Sequence, residues 1–144
     1  MTSVGVIDSG ICNLGSISRA LERAGGQVSV VTTPEQVAAQ ERIILPGVGS
    51  FPAGMDSLES CGLDKAIVAF AATGKPVFGI CLGMQLLFET GEEFGLRQGL
   101  GLIPGRVRAI KAGELAVPHM GWNSMEPNRD DPLLEGLPKD AFFY

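Results

Sequence analysis

Apolar residues fall along this chain in short unbroken runs, separated by stretches where they recur every three or four positions. Ser3-Val4-Gly5-Val6-Ile7 is the first run, closed by Asp8-Ser9-Gly10, and it predicts a strand. From about Asn13, residues Leu14, Ile17, Ala20 and Leu21 keep helical spacing until Gly25-Gly26 stop the pattern. Val28–Val31 predicts a second strand. Thr33-Pro34-Glu35 reads as a helix start, a cap residue followed by proline at the first helical position. Arg42–Leu45 predicts a third strand, residues around Leu63–Ala72 a helix, and Val77–Ile80 a fourth strand. Strands this apolar, alternating with helices, bury both faces. The prediction is an α/β fold with an open, mostly parallel sheet and helices on both sides. From about Gly95 the chain turns rich in Gly and Pro, with fragments such as Gly105–Ile110. Smaller, more antiparallel strands beside the main sheet are expected there. No internal repeat, low-complexity segment or linker interrupts the chain, so 1–144 reads as a single domain.

Composition narrows the partners more than the fold. Hydrophobic residues make up 45% and charged residues 19%, the balance of an ordinary globular protein. A net charge of −5 argues against a nucleic-acid or anionic-membrane surface. No apolar run approaches the ~18 residues of a membrane span, and no signal peptide opens the chain. A cytoplasmic location is expected. Three cysteines, Cys12, Cys61 and Cys81, show no paired spacing, so neither a disulfide framework nor a metal site is indicated.

One cysteine stands apart. Gly79-Ile80-Cys81-Leu82-Gly83 places it between two glycines where a strand gives way to a helix beginning near Leu82. This matches the nucleophile-elbow pattern, in which the turn leaves no room for side chains beside a strained nucleophile. The start of the following helix favours thiolate and offers backbone N–H groups to an oxyanion. The plain alternative is a small buried core cysteine. The two glycines and the strand-to-helix position favour the nucleophile. Leu45-Pro46-Gly47-Val48-Gly49-Ser50-Phe51 follows the third strand, where open parallel sheets hold their sites, and its glycines suit an oxyanion-binding backbone or an ordinary turn. Asp8–Gly15 has the spacing G-x-x-x-x-G but lacks the Lys-Ser/Thr of a phosphate loop, and no G-x-G-x-x-G occurs, so a nucleotide cofactor is not expected.

Pro46-Gly47-Val48-Gly49 followed by Gly79–Gln85 resembles the class I, triad-type glutamine amidotransferases. Asp8-Ser9-Gly10 with Asn13-Leu14, the Pro46–Phe51 stretch and Pro118-His119-Met120-Gly121-Trp122-Asn123 narrow the resemblance to the glutaminase subunits of imidazole glycerol phosphate synthases. The similarity runs over essentially the whole chain. It implies a flavodoxin-like fold, glutamine as substrate, no cofactor, and a heterodimer with a cyclase subunit. By resemblance, Cys81 attacks the glutamine side chain to give ammonia and a thioester that water cleaves. The Leu82 N–H and the Val48-Gly49 backbone would hold the oxyanion, and Gly47 and Gln85 would bind glutamine. His119, Met120, Trp122 and Asn123 would face the cyclase, which receives ammonia through a channel during histidine biosynthesis.

The sequence departs from that family in one respect. A triad needs a histidine to move the thiol proton and an acid to orient it. In the family both lie in a His-Pro-Glu stretch near the C-terminus, and none follows Cys81 here. The expectation is therefore an amidotransferase domain lacking its C-terminal segment, ending in a strand at Ala141–Tyr144 and inactive by itself. His119, the sole histidine, reads as a partner contact, a plain surface residue or, least of all, a substitute base. Asp8 reads as a cap or turn residue, Glu89 and Glu93 as members of a solvated face, and Cys12 and Cys61 as small core or loop residues. Two other classes stay open: a non-catalytic interaction domain of the same fold, and a cysteine hydrolase of the DJ-1 type.

Overall fold

The computed structural model describes residues 2–138 and 140–143 of the chain. They form two compact units, Met1–Ala109 and Ile110–Tyr144. The first unit is built on four parallel strands, β1 (Thr2–Ile7), β2 (Gly26–Val31), β3 (Ile43–Gly47) and β4 (Val77–Cys81), in the order β2-β1-β3-β4. The chain leaves β1 toward β2 on one side and returns to β3 on the other. The carboxyl ends of β1 and β3 therefore flank a topological switch point, the usual place for a site in such sheets.

Sequence accounts for most of the helices. In α1 (Leu14–Arg23) the Asn13 side chain accepts from the Ser16 N–H at 3.3 Å, closing the N-terminus. Its apolar stripe, Leu14, Ile17 and Leu21, packs on Val4, Val6 and Ile44. The short α2 (Pro34–Ala38) starts with a capping box between Thr33 and Gln36. The opposite sheet face carries the main core. There Ile7, Leu45, Leu58, Leu63 and Ile67 are fully buried between the sheet and α3 (Phe51–Ser60), α4 (Leu63–Ala72) and α5 (Leu82–Leu86). Helices thus lie on both faces, as expected, but α1 stands alone on its side among the described residues. Phe78 and Val30, toward the two sheet edges, stay 49% and 48% exposed.

Helix α3 was not anticipated. Its sequence, FPAGMDSLES, carries a proline, a glycine and two serines, all poor helix formers. Phe51, Gly54, Met55 and Leu58 nevertheless bury at positions i, i+3, i+4 and i+7, and that periodicity is the signal in the sequence. A Cβ on Gly54 would come within 2.9 Å of Leu86 Cδ1, so the small residue lets α3 and α5 pack closely without moving that side-chain tip.

The smaller sheet also differs from expectation. It starts at Phe88, not near Gly95, and joins β5 (Phe88–Gly91), β6 (Arg97–Gln98) and β7 (Ile103–Val107) in the order β6-β5-β7. Only β5–β6 is antiparallel. β5 and β7 run parallel, through a register shift between Phe88 and Thr90. The second unit holds an antiparallel pair, β8 (Asn123–Ser124) with β9 (Phe142–Phe143), and a short 3₁₀ turn at Pro132–Leu134. Of the strand expected over residues 141–144, Tyr144 lies outside the described residues. No described helix is long and apolar enough to cross a membrane.

Candidate active site

Cys81 is the last residue of β4 and the N-cap of α5, with φ 54° and ψ −120°. A residue with a Cβ avoids this region of backbone space, so the turn holds the side chain out at a conformational cost of ~1–3 kcal/mol. The thiol is exposed, not a core cysteine.

The neighbouring glycines explain how the turn is enforced. A Cβ on Gly79 would meet the Met84 backbone nitrogen at 2.6 Å, and one on Gly83 would overlap the Leu45 carbonyl oxygen. Helix α5 therefore lies flush against the ends of β3 and β4 with no space for a methyl group at either position. Leu82, 2% exposed, and Leu86 anchor the helix from beneath. Gln85 follows Cys81 by four residues, about one turn later, and is half-buried.

The end of β3 lies directly beside the nucleophile position. Gly47 is in register with Cys81, and a Cβ on it would meet the Gly83 nitrogen at 3.0 Å. Gly49 has φ 103°, a conformation that favours glycine. The first-turn N–H of Leu82 has no acceptor within its own helix. The Val48 N–H, by contrast, donates to the Ile11 carbonyl at 3.1 Å. The donor of Val48, expected beside the oxyanion, is thus engaged here by the loop after β1.

That loop is a turn. Asp8 Oδ1 accepts from the Gly10 N–H at 2.9 Å, and the Ser57 hydroxyl of α3 donates to the Ser9 carbonyl. Cys12 lies with its sulfur 3.5 Å from Asp8 Oδ1. Burial, the Asp8 charge and that contact push the Cys12 thiol up to about 11. It is therefore a poor nucleophile near neutrality. Cys61 is exposed at the end of α3, remote in sequence from the strand ends.

Glu89 and Glu93 are not simply members of a solvated face. Glu89 Oε2 accepts from the Gly105 N–H at 2.9 Å, and Glu93 Oε2 from the Phe51 N–H at 2.7 Å. Glu93 thereby holds the residue that follows Gly47–Ser50. This contact spans 42 positions of sequence and no local pattern announces it.

In the second unit, Asn123 Nδ2 and His119 Nε2 lie 3.0 Å apart, so the two side chains orient each other. Met120 and Trp122 are 71% and 69% exposed. His119 and Cys81 belong to different compact units.

An exposed cysteine at a strained strand-to-helix turn, beside a glycine-rich strand end, has the backbone geometry of a nucleophile elbow. The class-I glutamine amidotransferase family matches residues 5–143, and the chain belongs to that family. Among its relatives, the imidazole glycerol phosphate synthase subunit HisH of Desulfitobacterium hafniense is 48% identical over 141 residues, 98% of this chain and 66% of that one. HisH of Symbiobacterium thermophilum is 46% identical over 144 residues, the whole of this chain and 68% of that one. The chain thus spans about two thirds of the length of these relatives. A crystal structure titled as a glutamine amidotransferase superposes with TM-score 0.65 at 21% identity, covering 77% of this chain and 58% of the other. At that identity the superposition speaks for the fold.

Proposed function

We propose that this chain is the glutamine-hydrolysing part of an imidazole glycerol phosphate synthase, as its HisH relatives are named. The two compact units are read as parts of one amidotransferase domain, acting in the cytoplasm. The observation that carries the reading is the backbone of Cys81, a non-glycine at φ 54° with an exposed thiol between two glycines that admit no Cβ.

In this reading Cys81 Sγ attacks the carbon of the glutamine side-chain amide. The carbonyl oxygen becomes an oxyanion, held by the N–H of Leu82 and the Val48-Gly49 backbone. The C–N bond then breaks, ammonia leaves with the proton taken from the thiol, and a γ-glutamyl thioester remains. Water cleaves the thioester, giving glutamate and the free thiol. Gly47 and Gln85 bind the substrate. Ammonia passes to a cyclase subunit, with His119, Met120, Trp122 and Asn123 on the face toward it.

The proton transfers need a base, and the 144 residues contain one histidine, His119, in the other unit. A positioned general base contributes ~10²–10⁴ in rate. The 144-residue chain is therefore expected to release no ammonia above a Cys81→Ala control, with or without the cyclase.

A chloroketone analogue of glutamine tests the site. It should alkylate Cys81 stoichiometrically, and free glutamine should protect the thiol. Labelling at Cys61 instead, or no protection by glutamine, would refute a glutamine site. Ammonia release abolished by His119→Ala would make His119 the base.

A further inference from the structure

The segment beside the nucleophile, Gly47–Ser50, leads straight into α3, and the start of α3 is closed in an unusual way. Ser50 is the N-cap, yet its side chain makes no capping hydrogen bond. The second helical residue is Pro52, which has no N–H to offer it. The Gly54 N–H goes to the Ser50 carbonyl at 3.0 Å. The Phe51 N–H, at the first helical position, is taken by Glu93 Oε2 at 2.7 Å from the turn between β5 and β6.

The same hairpin grips Phe51 from two more directions. A Cβ on Gly91 would strike the Phe51 ring at 2.5 Å, and one on Gly99, just past β6, would meet its Cζ at 3.1 Å. Both glycines therefore let backbone lie against the ring, which is completely buried. Arg97 of β6 adds a further tie, reaching Asp56 and Glu59 of α3 at 2.7 Å each.

We infer that the β5–β6 hairpin is a clamp on Phe51, and that Glu93 is a positioning residue which fixes the Gly47–Ser50 segment beside Cys81. The inference rests on the amidotransferase reading for what that segment does. The clamp itself rests only on contacts within the first unit. A carboxylate is suited to this place because a charged acceptor makes a short, strong bond to a helix N-terminal donor. Loss of the acceptor frees Phe51 N–H and, with it, the strand end that sets the oxyanion geometry at Gly49.

The test compares Glu93→Ala, Glu93→Gln and a Glu92→Ala control in the full chain, by amide hydrogen exchange and by Cys81 labelling. Glu93→Ala should speed exchange at the Phe51 amide by about tenfold or more. It should also speed exchange across Gly47–Ser50 and slow chloroketone alkylation, with iodoacetamide labelling unchanged. Glu93→Gln keeps a neutral acceptor oxygen and should restore most of both signals, whereas Glu92→Ala should change neither. Unaltered Phe51 exchange in Glu93→Ala would overturn the clamp. So would a Glu93→Gln protein with Phe51 still protected but alkylation as slow as in the alanine variant, since the charge would then act on the ligand. Failure of the wild-type chain to react with the chloroketone would sink the amidotransferase reading, while the exchange data would still decide the clamp.

Discussion

Replacing Cys81 by glycine should make this protein more stable while abolishing its nucleophile. Cys81 sits at φ 54°, ψ −120°, where a Cβ costs ~1–3 kcal/mol and glycine costs little. The side chain is exposed, so its removal forfeits little apolar burial. Against the relief stands the extra freedom of glycine in the unfolded chain, about 0.5–1 kcal/mol. At mid-range the difference leaves a net gain of about 1 kcal/mol for Cys81→Gly. In a chain of this size that corresponds to a rise in Tm of roughly 3–4 °C. Cys81→Ala is the control that isolates the cause, because alanine loses the thiol yet keeps the Cβ and its strain. Urea and thermal unfolding followed by circular dichroism would rank the three proteins. The expected order is glycine above alanine, with alanine close to wild type. A glycine variant no more stable than the alanine variant would mean that the elbow stores no strain, and the argument from backbone geometry would fall.

At pH 8 Cys12 should react with iodoacetamide far more slowly than exposed Cys81 and Cys61, its rate rising about tenfold per pH unit toward the thiol value of about 11. A Cys12 rate that levels off below pH 9 would contradict the influence of Asp8 and burial. Because the folded state holds that proton more tightly than the unfolded chain, the associated stability is complete below about pH 9 and fades as pH climbs toward 11. Gly83→Ala should cost ~1–3 kcal/mol or more, since its Cβ would overlap the Leu45 carbonyl, and should also slow chloroketone labelling of Cys81 as α5 is pushed off β3. An alanine variant with native melting and native labelling would show that α5 has slack. Trp122→Ala should leave circular dichroism and Cys81 labelling unchanged but weaken cyclase binding measured by calorimetry by ~2 kcal/mol. Native affinity would remove Trp122 from the proposed interface.

What was legible in the sequence is whatever neighbours along the chain decide. The four parallel strands follow from apolar runs, α1 and α2 from stripes and caps, and the elbow from glycines two residues either side of Cys81. Each glycine meets atoms supplied by its own strand-turn-helix unit or by the adjoining strand, so spacing alone carries the message. Periodicity also encoded α3, though Pro52 and Gly54 masked it. Tertiary structure alone decided the rest. The Val48 N–H is engaged because the loop after β1 brings the Ile11 carbonyl to it. Glu93, although exposed, ties two distant segments because a hairpin 42 residues further along the chain reaches the Phe51 N–H. The parallel pairing of β5 with β7 likewise depends on a register shift that no alternation of apolar residues records. Local pattern fixes where a backbone turns and which face it buries. Which donor meets which acceptor across the fold is set only once the packed elements exclude water and each polar group must find a partner.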